Sequence, residues 1–109
     1  MTGTTTVVST FPQAEIEAQL QKELLHAIET EASLLGVSLP ASIPDRIAMS
    51  MHVDSLVAVE ILCTVEPIVG FELEDRIVRA GGYKSVDEAV KVLMPRVEKE
   101  WNKRKGKLP

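Results

Sequence analysis

The sequence is poor in cysteine and histidine, with one and two residues respectively. It has a single cysteine, Cys63, among 109 residues, so an intrachain disulfide is excluded and a cysteine-based metal site is not expected. No stretch is long and apolar enough to span a membrane. No basic residue precedes Lys22, so the charged start of a signal or transit peptide is missing. We therefore expect a soluble cytoplasmic protein.

Aromatic residues are also scarce, at 4% of the chain, whereas apolar residues reach 45%. A chain of this length suits one domain with an aliphatic core. Acidic residues outnumber basic ones by 16 to 12, and four of the basic residues fall in the last seven positions. The rest of the chain is therefore strongly acidic, which repels nucleic acid and attracts basic protein surfaces. We expect a monomer with protein partners, without nucleic-acid or membrane binding.

The apolar spacing predicts an all-α fold, a small four-helix bundle of three longer helices and one short helix. In residues 14–35 the apolar positions recur every three or four residues, which is typical of an amphipathic helix. These positions are Ile16, Leu20, Leu24, Ile28, Ala32 and Leu35. Gly36 is suited to cap that helix. Residues 37–53 contain two prolines and three serines, which favours an irregular crossing.

The next long helix is predicted to begin at Asp54 or Ser55, both good N-cap residues, and to end at Gly70. A short helical turn should follow in residues 75–80. A capping box of Ser85 and Glu88 predicts the start of the last helix, in which Pro95 should cause a kink or a break. The chain is thus divided into a flexible N-terminal tail, a helical domain and a basic C-terminal tail, at residues 1–13, 14–101 and 102–109.

A helical projection of residues 55–69 separates two faces. The predicted core face holds Val57, Ala58, Ile61, Leu62, Val65, Ile68 and Val69. The opposite face begins at the serine and mixes apolar with acidic residues, which is typical of a docking surface for basic partners. Its candidate contacts are Leu56, Val59, Glu60, Cys63 and Glu66. The alternative is that both faces are buried within the bundle.

Ser55 itself does not match a catalytic serine. A nucleophilic serine needs a base within hydrogen-bond reach, and the only histidines are His26 and His52. No signature of an oxyanion hole or nucleophile elbow accompanies it. The simplest local interpretation is that Asp54 or Ser55 caps the helix, but this does not explain the apolar and acidic face behind it.

The stretch "DSLVAVEILCTVEPIVGFELED" resembles the acyl carrier proteins and related carrier domains of fatty-acid, polyketide and peptide synthesis. The family signature is Asp-Ser-Leu at a helix start, followed by two spaced acids and a Gly-hydrophobic-Glu-hydrophobic close. The residues in register are Asp54, Ser55, Leu56, Glu60, Glu66, Gly70, Phe71, Glu72 and Leu73. The resemblance covers residues 52–93.

The resemblance implies that Ser55 receives a 4′-phosphopantetheine arm from coenzyme A. A separate phosphopantetheinyl transferase attaches this arm with Mg²⁺, and Asp54 takes the family's role in transferase and metal recognition. The arm's thiol then carries cargo as a thioester, so the protein is not an enzyme and needs no metal of its own. Its implied partners are the transferase, a loading ligase, and synthase or transferase enzymes that use the cargo.

Several positions depart from the family pattern. "MHV" replaces the usual small residues before the motif, Val57 and Pro67 stand where acids are common, and "AGGYK" lengthens the segment before the last helix. These departures favour a discrete acyl carrier of a specialised biosynthetic pathway. One alternative is an aminoacyl or peptidyl carrier loaded by an adenylating ligase. Another is an unmodified helical adaptor that binds proteins through the same face.

Overall fold

The chain folds as a small bundle of helices, as the apolar spacing predicts. The computed structural model describes residues 10–106. Its elements are α1 (Gln13–Leu35), α2 (Ile43–Ala48), α3 (Ser55–Val69), a 3₁₀ turn (Asp75–Ile77) and α4 (Val86–Gly106). No strand occurs within these described residues, so the predicted all-α class is confirmed.

The core lies where α1 packs against both α3 and α4. On α1 one residue per turn is buried, namely Ile16, Leu20, Leu24, Ile28 and Ala32. α3 and α4 complete the core with Ala58, Ile61, Leu62, Val65, Val69, Val86, Ala89, Val90, Leu93, Val97 and Trp101. Burial of each large side chain contributes about 1.5–3 kcal/mol relative to exposure, and among the described residues no polar or charged side chain is buried with them.

Both predicted glycine caps are present. Gly36 and Gly70 adopt φ values of 71° and 87°, the left-handed conformation that glycine reaches without a Cβ penalty. The Gly70 N–H donates to the carbonyl of Glu66 at 2.8 Å. The second long helix therefore begins and ends at the residues that its sequence indicates.

The segment predicted as an irregular crossing contains the short helix α2. Its start is stabilised by Ser42, whose hydroxyl accepts a hydrogen bond from the Asp45 N–H at 3.2 Å. Pro44 lies in the first turn, where a missing N–H costs nothing and the fixed φ suits a helix. A proline therefore marked the helix start here, and the expectation of irregular backbone was wrong over these six residues.

The short helix predicted in residues 75–80 is reduced to the 3₁₀ turn, Asp75–Ile77. Ile77 is buried, and its carbonyl accepts a hydrogen bond from the Arg96 guanidinium at 2.8 Å. The chain then reverses through Gly81 and Gly82, both with positive φ. The turn ends because Val78 is extended, with φ −78° and ψ 133°, and the Arg79 N–H donates to the Tyr83 hydroxyl at 2.9 Å instead of continuing the helix.

The capping box at the start of α4 forms with one difference. The Ser85 hydroxyl accepts a hydrogen bond from the Glu88 N–H at 3.0 Å, as predicted. The Glu88 carboxylate, however, accepts from the backbone N–H of Lys84 at 2.7 Å, one residue before the usual partner. It therefore ties the preceding turn to the helix.

α4 is longer than expected and is not interrupted. It continues through Pro95 and ends at Gly106, so of the two predicted outcomes at the proline the break was wrong, and the kink stays a prediction. Residues 102–106, assigned to the basic tail, are helical, and the domain extends further than residue 101. The rest of that predicted tail, residues 107–109, lies outside the described residues.

The start of the domain also differs from the predicted boundary. α1 begins at Gln13, and Phe11, assigned to the N-terminal tail, is half-buried against the core. Its ring meets Trp101 edge-on, with centroids 5.8 Å apart and planes at 62°. The helical domain therefore includes Phe11, and residues 1–9 of the predicted tail lie outside the described residues.

We predict that Phe11→Ala lowers the free energy of unfolding by about 1–2 kcal/mol, because a half-buried ring and its aromatic contact are lost. Urea unfolding followed by Trp101 fluorescence measures the change. Thr10→Ala is the matched control, since Thr10 is exposed. Equal stability of the two variants would mean that Phe11 does not contribute to the core.

Candidate functional site

Ser55 is the first residue of α3, and its side chain is half-buried. Asp54 is the N-cap in extended conformation, with φ −65° and ψ 145°, and its carbonyl accepts the first helical hydrogen bond from Ala58 at 3.0 Å. The Asp54 side chain makes no capping hydrogen bond. Within residues 10–106 no hydrogen bond engages the Ser55 hydroxyl, which is therefore free to react.

A pair of backbone hydrogen bonds holds the segment that leads into Ser55. The Val53 N–H donates to the Tyr83 carbonyl at 2.8 Å, and the Tyr83 N–H donates to the Val53 carbonyl at 2.9 Å. The Met51 N–H also donates to the Lys84 carbonyl at 2.9 Å. This antiparallel bridge joins residues thirty positions apart, so the position of Ser55 depends on the loop before α4.

That loop is itself held by side chains. The buried Tyr83 accepts a hydrogen bond on its hydroxyl from the Arg79 N–H at 2.9 Å. The Arg79 guanidinium lies 4.8 Å from the centroid of the Tyr83 ring, donates to the Gly82 carbonyl, and pairs with Glu88 at 2.6 Å. The extra residues "AGGYK" thus form a rigid support for the start of α3.

These contacts lower the pKa of Glu88, first through the hydrogen bond from the Lys84 N–H and then through that from Arg79. A carboxyl whose pKa is lower in the folded state stabilises the fold above its unfolded pKa, and this stabilisation is lost as the pH falls through the folded value. We predict that wild type loses more stability than Glu88→Gln between about pH 5 and about pH 3. Urea unfolding at several pH values measures this, with the exposed Glu98→Gln as control. Parallel pH profiles for wild type and Glu88→Gln would contradict it.

The two faces of α3 are largely those that the helical projection predicts. Ala58, Ile61, Leu62, Val65 and Val69 are buried, while Val57 and Ile68 are half-buried. On the opposite side Leu56 is 72% exposed, and Glu60 and Cys63 are exposed too. The alternative in which both faces are buried is therefore excluded.

Two of the predicted docking residues are less available than the others. Val59 is half-buried. Glu66 is also half-buried, and its carboxylate accepts a hydrogen bond from the Leu73 N–H at 2.8 Å. Glu66 therefore closes the turn after α3, and the candidate docking residues that are exposed are Leu56, Glu60 and Cys63.

The remaining chemically active side chains form no second centre. His26 and His52 are exposed, and no hydrogen bond within the described residues links His52 to Ser55. Cys63 is a free thiol. In residues 10–106 no group of three or more His, Cys, Asp or Glu side chains is placed to hold a metal ion.

Two adjoining pockets of about 350 and 390 Å³ line the boundary between α1 and α3. They share Ala27, Glu31 and Val57, and the first also reaches Leu35 and Asp54. The C-terminal end of α1 therefore lies beside the N-terminal end of α3. We call this end of the bundle the Ser55 end.

Charge is strongly segregated along the chain. Residues 23–70 contain seven acidic residues and one basic residue, Arg46. Arg46 is already engaged, with Glu29 at 2.9 Å and with the Pro40 carbonyl at 2.6 Å. This segment therefore contributes mainly carboxylates to the Ser55 end, and the backbone bond from Met51 to Lys84 also brings the exposed Lys84 near it.

The sequence did not identify the exposed leucines at the end of α1 as surface residues. Leu35 was placed on the buried stripe but is 61% exposed, and Leu34 is 78% exposed. The reason is that the apolar stripe continues beyond Ala32, the last buried residue of α1, while Leu35 borders a pocket. The adjacent "LL" before a glycine cap was the available signal, but periodicity does not reveal where the covering helices end.

No helix formed by the described residues combines the length and the apolar character needed to cross a membrane. Comparison of the chain with models of known protein families, with curated proteins and with solved structures finds no match.

Proposed function

We propose that this protein is a discrete carrier that holds acyl groups as thioesters on a phosphopantetheine arm attached to Ser55. The observation that carries the proposal is the state of the Ser55 side chain: half-exposed, at the first position of α3, and without a hydrogen bond among the described residues. A structural cap would use its oxygen for the helix, and a catalytic serine would be paired with a base. A serine that only serves as the attachment site of a phosphopantetheine arm needs neither a capping hydrogen bond nor a neighbouring base.

The surroundings of Ser55 fit a covalent phosphodiester. No side chain caps the first turn of α3, so its N–H groups are available to a phosphate, which the helix dipole also favours. The exposed Asp54 opposes this effect electrostatically, and it fits the role of orienting the transferase and its Mg²⁺. In the attachment step the Ser55 oxygen forms a bond to the phosphorus next to the pantetheine, and the P–O bond of the coenzyme A diphosphate breaks. Adenosine 3′,5′-bisphosphate leaves, and the serine proton is taken up by the transferase.

The outer face of α3 fits protein partners with basic surfaces. Leu56 offers an exposed apolar contact immediately after Ser55, and Glu60 adds a carboxylate one turn later. Apolar contacts bordered by charge supply both affinity and orientation in transient complexes. The partners of this proposal are the transferase, the loading ligase and the enzymes that process the cargo.

The proposal is tested by incubating the protein with coenzyme A, Mg²⁺ and a broad-specificity phosphopantetheinyl transferase. Intact-mass measurement should show the gain of one phosphopantetheine, and fragmentation should locate it on Ser55. Loading with an acyl-activating or an aminoacyl-activating ligase then separates an acyl carrier from an aminoacyl or peptidyl carrier. Failure with several transferases would overturn the proposal and favour an unmodified adaptor that uses the same face.

A further inference from the structure

Large exposed apolar side chains gather at the Ser55 end of the bundle. On α1 and the turn after it, Leu34 is 78%, Leu35 61% and Val37 46% exposed. We call these three residues the α1-end patch. Leu35 and Asp54 border the same pocket, so the patch lies within one pocket's width of the residue before Ser55.

The fold does not require apolar side chains at the α1-end patch. The turn after α1 is closed by the backbone, through the bond from the Val37 N–H to the Ala32 carbonyl at 2.9 Å and the left-handed Gly36. Neighbouring exposed leucines are costly for solubility, and a contiguous apolar patch is typical of an interaction site. We therefore expect that a binding partner, which is not among the described residues, covers the α1-end patch.

Charge indicates the chemistry of that partner. Glu31, on the last turns of α1, and Asp54 are exposed, and neither forms an ion pair with another described residue. Arg46, the only basic residue in residues 23–70, is held by Glu29. An apolar patch bordered by unpaired carboxylates complements a protein surface with an apolar centre and lysine or arginine around it.

The position of the patch indicates which enzyme covers it. An enzyme that bonds an atom to the Ser55 oxygen must approach the first turn of α3 itself, whereas an enzyme acting on the far end of a long arm need not. A standard interface buries about 800 Å² on each partner, equivalent to a disc of roughly 16 Å radius. Because Leu35 and Asp54 border the same pocket, we expect a disc of this radius centred on Ser55 to reach the end of α1.

Resting on the proposed function, we infer that the α1-end patch is a second docking surface for the phosphopantetheinyl transferase. The transferase contacts Leu56 on α3 and Leu34 and Leu35 on α1, on the two sides of Ser55. Its surface opposite Glu31 is basic. The docking site is thus shared between two helices and is not confined to the outer face of α3.

The test measures steady-state phosphopantetheinylation with coenzyme A for wild type, for Leu34→Gln and for the double variant Leu34→Gln/Leu35→Gln. We expect the double variant to lower kcat/KM about tenfold or more through KM, with kcat unchanged, because two apolar contacts are lost. Ala18→Gln is the matched control, on an exposed position of the same helix far from Ser55. Glu31→Gln should make KM less sensitive to salt.

The outcomes separate this inference from the proposed function. If wild type is modified and both leucine variants match Ala18→Gln in kcat/KM, the α1-end patch is not a docking surface, and the carrier function stands. If wild type gains no phosphopantetheine, the proposed carrier function and the inferred docking surface are both wrong. Circular dichroism and thermal unfolding of each variant show whether the bundle is intact, and Leu34→Gln keeps the test decisive if the double variant unfolds.

Discussion

Ser55→Ala should abolish the gain of phosphopantetheine completely, whatever the enzyme concentration. The hydroxyl oxygen is the atom that forms the bond to phosphorus, so its removal leaves no partial activity. The substitution should not disturb the fold, because the Ser55 hydroxyl makes no hydrogen bond with the described residues and Asp54 holds the cap position. Intact-mass measurement at long incubation is the readout.

Ser50→Ala is the matched control for this prediction. Ser50 is exposed and borders the same pocket as Asp54, so it offers a transferase a hydroxyl in the same neighbourhood but outside a helix start. The Ser50→Ala variant should gain phosphopantetheine on Ser55 at the wild-type rate. A mass gain that persists in Ser55→Ala, or disappears in Ser50→Ala, would place the attachment elsewhere.

Gly82→Ala should destabilise the protein far more than Gly81→Ala, although the two glycines have similar φ values of 80° and 87°. A Cβ on Gly82 would lie 2.1 Å from the Val53 carbonyl oxygen, whereas one on Gly81 has nothing within 4 Å. Both substitutions share the cost of the left-handed conformation, about 1–2 kcal/mol. The difference between them therefore isolates the steric contact.

The contact at Gly82 falls on the bridge that positions Ser55. The Val53 carbonyl accepts the Tyr83 N–H, so relieving the clash strains or breaks the pair of hydrogen bonds, each with a net value of about 1 kcal/mol, and disturbs the packing of buried Tyr83. We expect Gly82→Ala to lose about 3–5 kcal/mol in total, a large part of the stability of a domain of this size.

Urea unfolding of Gly82→Ala and Gly81→Ala measures the difference. If Gly82→Ala still folds at low temperature, its Ser55 should be modified more slowly than that of Gly81→Ala, because the segment before α3 is displaced. Equal loss of stability in the two variants would show that the chain accommodates the Cβ without moving Val53, and the bridge would then not be rigid.

The sequence determined the three long helices and most of their limits, but not α2 or the end of α4. Buried positions every fourth residue on α1 and the glycine caps Gly36 and Gly70 are local features. They act through backbone conformation and burial within a few turns, so they can be recognised without knowing the neighbours. The same holds for the start of α3 at Ser55 and for most of its two faces.

The tertiary structure decided which of these features support Ser55. The Val53–Tyr83 bridge joins residues thirty positions apart, and the Gly82 contact arises only once that bridge exists. Likewise, the apolar stripe of α1 predicts buried side chains up to Leu35, but the bundle buries the side chains of this stripe only as far as Ala32. Periodicity reports which side of a helix is apolar, whereas the arrangement of distant elements determines how much of that side is covered and what holds the reactive serine in place.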